Sequence, residues 1–162
     1  MRFSPNEILF SLTSRCNLSC KHCIDHGSTD ISLKKALNFL QESTKLTKPK
    51  ISFTGGEPFL RFTALNSLIK KSLNLDLEFG SITTNGIWFK KKTELISTLT
   101  KLYKSKYDGL IYLSVDQFHN QNIKKLACFI KTAIKIFHQP DLISILMVTT
   151  YKDNKNILKL KG

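Results

Sequence analysis

The feature that most constrains this chain is a regular alternation between short runs rich in β-branched and aromatic residues and segments whose apolar residues recur at helical spacing. Strands are predicted at "EILFSLT" (7–13), "KISFTG" (50–55), "LEFGSITT" (77–84), "LIYLSVD" (110–116) and "LISILMVTT" (142–150). Between them run helical stripes: Leu33, Leu37 and Leu40; Phe62, Leu65, Ile69 and Leu73; Leu95, Leu99 and Leu102; then Ile123, Leu126, Ile130, Ile134 and Phe137. This is the pattern of βα units around a parallel sheet. One right-handed crossover repeated gives either an open doubly wound sheet or part of a barrel. In both arrangements the site lies at the carboxyl ends of the strands.

Punctuation agrees with this reading. Ser28, Thr29 and Asp30 are good cap residues ahead of the first helix. Pro49 precedes the second strand, Gly55 and Gly56 close it, and Pro58 falls where the first turn of a helix accepts proline. Asn85 and Gly86 stop the third strand. The fifth run is the most apolar and is expected to be a buried strand. The tail "YKDNKNILKLKG" offers no further βα unit.

At 162 residues the chain is expected to form a single domain with a real core. No run approaches the roughly 18 apolar residues of a membrane span, so no membrane association and a cytoplasmic location are expected. The formal charge of +13 invites a nucleic-acid partner. Its distribution weakens that idea, because only Arg2, Arg15 and Arg61 of the 25 basic residues are arginine, the better phosphate fork. The lysines fall on helix exteriors, where solvated faces and compositional bias are the simpler account. Trp88 and the many phenylalanines are most simply core or lid packing.

The unusual residues collect at strand ends. Cys16, Cys20 and Cys23 follow the first strand, "TGGEP" the second, "TTNG" the third, and "SVDQFH" closes the fourth. Cys128 lies far away on the last helix and reads as an inert thiol. Bunched thiols in so small a chain point to metal rather than to a disulfide scaffold. Three cysteines are one ligand short of a closed tetrahedral zinc site, which His22 or His26 would have to complete. An iron–sulfur cube held by three thiolates leaves its fourth iron for something else.

With these residues in view, the chain resembles the radical S-adenosylmethionine (radical SAM) superfamily. "CNLSCKHC" is similar to its Cys-x3-Cys-x2-Cys signature, "SFTGGEPFL" to its Gly-Gly-Glu-Pro motif, "ITTNG" to its third-strand ending and "LSVD" to its fourth. The resemblance implies an α/β fold, a partial TIM-like (βα) barrel of parallel strands with outer helices and about five βα units. It implies that Cys16, Cys20 and Cys23 hold a 4Fe-4S cluster whose fourth iron chelates S-adenosyl-L-methionine. Reductive cleavage to a 5'-deoxyadenosyl radical that abstracts hydrogen from substrate is then the implied activity.

Further roles follow from the same resemblance. Gly55 and Gly56 let backbone approach the cofactor, and Glu57, aimed by Pro58, offers a carboxylate to its methionine amino group. Thr84, Asn85, Ser114 and Asp116 offer polar groups to its carboxylate or ribose, and His22 replaces an aromatic residue near the adenine. Asp116 and His119 also read simply as a helix cap and a surface histidine. The expected partners are an electron donor such as flavodoxin or ferredoxin and an unknown substrate. A peptide or protein is favoured, with a nucleotide or RNA also in play.

Residues 1–162 are expected to be one radical SAM core domain lacking the last βα unit and any C-terminal auxiliary domain. A completing subunit or partner is therefore expected. The alternative is a truncated or degenerate, non-catalytic module that binds an iron–sulfur cluster, zinc or RNA.

Overall fold

In the computed structural model, the described residues are 5–23, 27–116, 118–119 and 121–148. The strands are β1 (Glu7–Ser11), β2 (Lys50–Thr54), β3 (Phe79–Thr84), β4 (Leu110–Ser114) and β5 (Ile143–Leu146). The helices are α1 (Leu33–Ser43), α2 (Phe62–Asn74), α3 (Lys92–Lys104) and α4 (Ile123–Phe137), with short 3-10 turns at Pro58–Arg61 and Pro140–Leu142. All four strand pairings are parallel, and the sheet order β1-β2-β3-β4-β5 follows the chain. A doubly wound sheet reverses its order midway, whereas unbroken sequential order is the winding of a barrel wall. The choice left open by the sequence is thereby settled as a partial TIM-like barrel.

The core lies where helices cover the sheet. Ile51, Phe53, Ile82, Ile111 and Leu113 from the strands are buried with Leu40, Leu65, Leu68, Leu95, Leu99 and Phe129 from the helices. Trp88 is packed here as well, its ring stacked on Phe59 at 4.8 Å. On α4 the buried face runs through Leu126, Phe129, Ala133 and Phe137. Ile123, expected on that face, is exposed.

Two expectations are corrected. The first concerns the start of α1, whose cap is Ser32, accepting from Lys35 N. Thr29 and Asp30 are used elsewhere, in contacts with the exit of β1. The second concerns the fifth strand. Among the described residues β5 pairs only with β4, and Ile145, Leu146, Met147 and Val148 are exposed, Ile145 by 57%. Apolar composition reported strand propensity correctly, but burial depends on how many neighbours a strand has, and among the described residues β5 is an edge. Residues 149 and 150, included in the expected strand, lie outside the described residues.

Candidate functional site

The segment carrying the three cysteines is closed at its base. Thr13 Oγ1 donates to Asp30 Oδ1 at 2.7 Å, and Thr29 N donates to Ser14 Oγ at 2.9 Å. Arg15 Nη2 and Arg61 Nε lie 2.9 and 3.3 Å from Asp30 Oδ2. The hydrogen bond from Thr13 and the two guanidinium charges hold the Asp30 carboxyl below the usual carboxylate range. Asp30 is thus the clasp of the cysteine loop, and the cap role expected for it falls to Ser32.

The glycine pair packs the exit of β2 against the exit of β1. Gly56 N donates to Thr13 O and Glu57 N to Arg15 O, at 2.6 and 2.8 Å. A Cβ on Gly55 (φ +146°) would sit 2.5 Å from Thr13 O, and one on Gly56 would sit 2.3 Å from Arg15 O. What demands glycine here is therefore neighbouring backbone. The same two residues also line the cavity described below.

Glu57 stands inside the protein, between the exits of β2 and β3. Its side chain is wholly buried and caps the 3-10 turn that begins at Pro58, accepting from Phe59 N at 3.2 Å. It also accepts from Thr84 Oγ1 at 2.8 Å and Asn85 N at 2.9 Å. These three donors tie the exit of β2 to that of β3. Burial pushes its pKa up to about 7, against the pull of the three hydrogen bonds. Pro58 is likewise buried, as the first residue of that turn.

Asn85 connects this interior strut to the thiols. Its Nδ2 donates to Asn17 Oδ1 at 2.9 Å and approaches Cys16 Sγ at 3.6 Å, while its Oδ1 accepts from Ile87 N. Leu18 N adds a second donor to Cys16 Sγ at 3.4 Å. Gln121, which nothing in the local sequence marks, bridges the exits of β3 and β4 by donating to both Asn85 O and Ser114 O. Cys128 packs half-buried beside the core on α4, away from these groups.

Beyond β4, Asp116 accepts from Phe118 N at 2.9 Å and His119 N at 3.2 Å, and lies 2.7 Å from His119 Nδ1. It serves as the cap of that turn. Burial alone would raise its pKa, but the hydrogen bond and charge of His119 with the backbone donors bring it below the usual value. The His22 ring packs against His119 and Phe118, with centroids 4.9 and 5.1 Å away.

These parts enclose a cavity of about 350 Å³ at the carboxyl ends of the strands. Its wall includes Cys16, Cys20, Cys23, His22, Gly55, Gly56, Thr84, Asn85 and Ser114 from the expected set, with Leu18, Thr83 and His119 added. Glu57, Pro58 and Asp116 are not part of that wall. Burial, then the charge of Glu57, raises the Cys16 pKa; burial, then the neighbouring thiols and Asp116, raises that of Cys20. A cationic iron centre relieves both penalties, and the N–H donors at Cys16 suit a thiolate bound to iron. The donor set fits a 4Fe-4S cluster. The zinc alternative is less well served, since His22 turns to Phe118 and His119, and His26 lies outside the described residues.

Comparison with known proteins agrees with this geometry. The sequence model of a family described as 4Fe-4S single cluster domain matches residues 8–97. GTP 3',8-cyclase of Desulforamulus reducens is 27% identical over 93% of this chain and 49% of its own length. The putative peptide biosynthesis protein YydG of Bacillus subtilis is 29% identical over 96% of this chain and 50% of its own. Among solved structures, native anSMEcpe with bound AdoMet superposes with a TM-score of 0.67 at 22% identity, covering 98% of this chain and 47% of that one. The chain thus spans about half the length of these relatives. The family match covers more than half of the chain and includes all three clustered cysteines, so the chain belongs to the radical SAM superfamily, in its 4Fe-4S single cluster domain family.

Proposed function

We propose that this chain is the cluster-bearing domain of a radical SAM enzyme. The observation that carries the reading is the convergence of Cys16, Cys20 and Cys23 with Gly55, Gly56, Thr84, Asn85 and Ser114 on one cavity. The three thiolates would hold a 4Fe-4S cluster, with S-adenosyl-L-methionine on its remaining iron. When bound, the pair supplies a one-electron cleavage of the sulfonium that delivers a 5'-deoxyadenosyl radical for hydrogen abstraction.

The chain's own residues do the positioning. Asn85 Nδ2 and Leu18 N donate toward Cys16 Sγ and so set the electron density on that thiolate. Thr84 and Ser114 place polar groups on the cavity wall for the cofactor's carboxylate or ribose. Glu57 acts through Thr84 and Asn85, fixing the β3 exit.

For the substrate, relatives include a GTP cyclase and a putative peptide biosynthesis protein. A peptide or protein is the reading we favour, supported by the similarity to a putative peptide biosynthesis protein and by the apolar, exposed face of β5 among the described residues. A nucleotide is the second reading, favoured by the cyclase similarity. An electron donor of the flavodoxin or ferredoxin type and a completing partner belong to the same proposal. So does a cytoplasmic location, where thiols stay reduced. Among the described residues no helix is long and apolar enough to cross a membrane.

The test is anaerobic reconstitution followed by dithionite and SAM. About four irons with matching sulfide, and release of 5'-deoxyadenosine, are expected. A reconstituted cluster that yields no 5'-deoxyadenosine, with or without candidate partners, defeats the catalytic reading.

A further inference from the structure

Lysines gather where the chain leaves the carboxyl ends of the strands. Lys21 stands in the cysteine loop, Lys90, Lys91 and Lys92 run from the exit of β3 into α3, and Lys124 lies in the first turn of α4. Contacts bring these segments together. Asn17 Nδ2, one residue after Cys16, donates to Ile87 O at 3.3 Å, and Lys125 Nζ donates to Phe89 O at 2.7 Å. Residues 87–89 are thus held between the cysteine loop and the start of α4, and the three lysine-bearing segments share one end of the barrel.

Helix stability does not account for these charges. A lysine at a helix N-terminus opposes the macrodipole, whose positive end is already there. Yet Lys91 is the N-cap residue of α3 without a side-chain capping bond, Lys92 is the first residue of that helix, and Lys124 and Lys125 occupy a first turn of α4 that has no acid. Nor are the charges neutralised. Lys21, Lys90, Lys91, Lys92 and Lys124 are exposed, and among the described residues none of them forms an ion pair. The described acids at this end are engaged elsewhere: Asp30 with Arg15 and Arg61, Glu57 and Asp116 in hydrogen bonds inside the protein, Glu94 with Lys90 N. At the opposite end the pattern reverses, with Lys45 paired to Glu42, Lys48 to Asp76 and Lys50 to Glu78.

The outcome is an unneutralised basic face beside the loop that carries the thiols. An electron bound for a cluster on those thiols has to arrive at this end. Nucleic acid is the other polyanion such a face could take, but none of the five residues is arginine, whose planar fork suits phosphate. The neighbouring rings of Trp88 and Phe89 are buried rather than offered for base stacking. On the reading that Cys16, Cys20 and Cys23 hold a 4Fe-4S cluster, we propose that Lys21, Lys90, Lys91, Lys92 and Lys124 form the docking face for an acidic one-electron carrier protein of the flavodoxin or ferredoxin class. Each reduced carrier gives one electron to the cluster and leaves oxidised by one electron. The lysines steer the encounter, so their effect lies in association and weakens with salt.

The test measures docking and reduction separately. Lys91→Glu, Lys92→Glu and Lys124→Glu are combined in one chain, and Lys101→Glu with Lys104→Glu, exposed near the other end of α3, is the control. Calorimetry of the reconstituted protein at low salt, with a purified flavodoxin and with a purified ferredoxin, should show that at least one of them binds. The triple variant should bind that carrier roughly tenfold or more weakly, and the control should match the wild type. Stopped-flow reduction of the cluster by the same carrier should slow in parallel, and the difference should close as salt is raised. Because the new carboxylates stand where the helix dipole favours them, thermal unfolding should show no loss of stability. Should the triple variant nevertheless unfold, glutamine at the same three positions takes its place.

Binding of neither carrier to the wild type, or equal binding by wild type and triple variant, overturns the proposal. So does unchanged carrier affinity alongside lost binding of single-stranded RNA, which would assign the face to nucleic acid. A failed cluster shows instead as missing iron, and an inert one as no 5'-deoxyadenosine with dithionite; both bear on the cluster and not on its docking face.

Discussion

Thr84 Oγ1 donates a 2.8 Å hydrogen bond to Glu57 Oε1, joining the exits of β2 and β3 inside the protein. Glu57 also caps the turn beginning at Pro58, so one carboxylate sets the relation between two walls of the cavity. Because burial raises its folded pKa to about 7, the folded state binds this proton more tightly than the unfolded chain does. The associated stability is fully present below the unfolded value of 4.5 and is lost as pH rises through about 7.

The expected outcome is a stability that declines from pH 4.5 to 7, with a limit of ~3 kcal/mol from this group. Glu57→Gln should flatten that dependence. It should also destabilise by ~1–3 kcal/mol near neutrality, since its amide turns a donor toward N–H groups. Urea unfolding at a series of pH values checks both. Asp30, Asp76 and Asp116 have lowered pKa values, so their contributions are lost below this window.

Substituting either glycine of the pair should separate the exits of β1 and β2. Gly56→Ala puts a methyl 2.3 Å from Arg15 O, and Gly55→Ala adds a positive φ to a 2.5 Å contact with Thr13 O. Backbone cannot yield there as a flexible side chain would, so a loss of ~2 kcal/mol or more is expected for each. Thermal unfolding measures it, and lower iron uptake should accompany it because Arg15 precedes the first cysteine.

Asn85→Ala removes donors to Asn17 and Cys16 and the acceptor for Ile87 N. The fold should survive with a loss of ~1–2 kcal/mol. Removing an N–H donor from a cluster thiolate should move the reduction potential downward. An anaerobic potentiometric titration followed by EPR decides this, and an unchanged potential with intact fold would show that Asn85 does not address the thiolate.

Serine at Cys16, Cys20 or Cys23 should each abolish cluster retention, whereas Cys128→Ser should leave it unchanged. Iron and sulfide analysis after reconstitution distinguishes them. Loss of iron in Cys128→Ser would place that thiol in the site, contrary to its position on α4 beside the core.

The strands, the parallel winding and the residues at the strand ends were legible because each is signalled locally, by alternation, by Gly and Asn at turns, and by thiol spacing. What the sequence did not disclose depends on pairs far apart in the chain. Glu57 faces inward because its donors at Thr84 and Asn85 arrive with the next strand. Asp30 clasps the cysteine loop because Thr13, Arg15 and Arg61 converge on it. Gln121 has no local motif at all, and His22 meets His119 only through the fold.

Among the described residues β5 is the edge of the sheet, and this bears on handling the isolated chain. Residues 143–148, "ISILMV", are uncharged, rich in β-branched and long apolar side chains, and largely exposed. An exposed strand of this composition is a template for intermolecular strand addition and cross-β stacking. At high concentration the chain should therefore self-associate through this segment. Ile145→Lys, at the most exposed of the segment's large apolar residues with a stated exposure (57%), should act as a gatekeeper and keep the protein dispersed without touching the cavity.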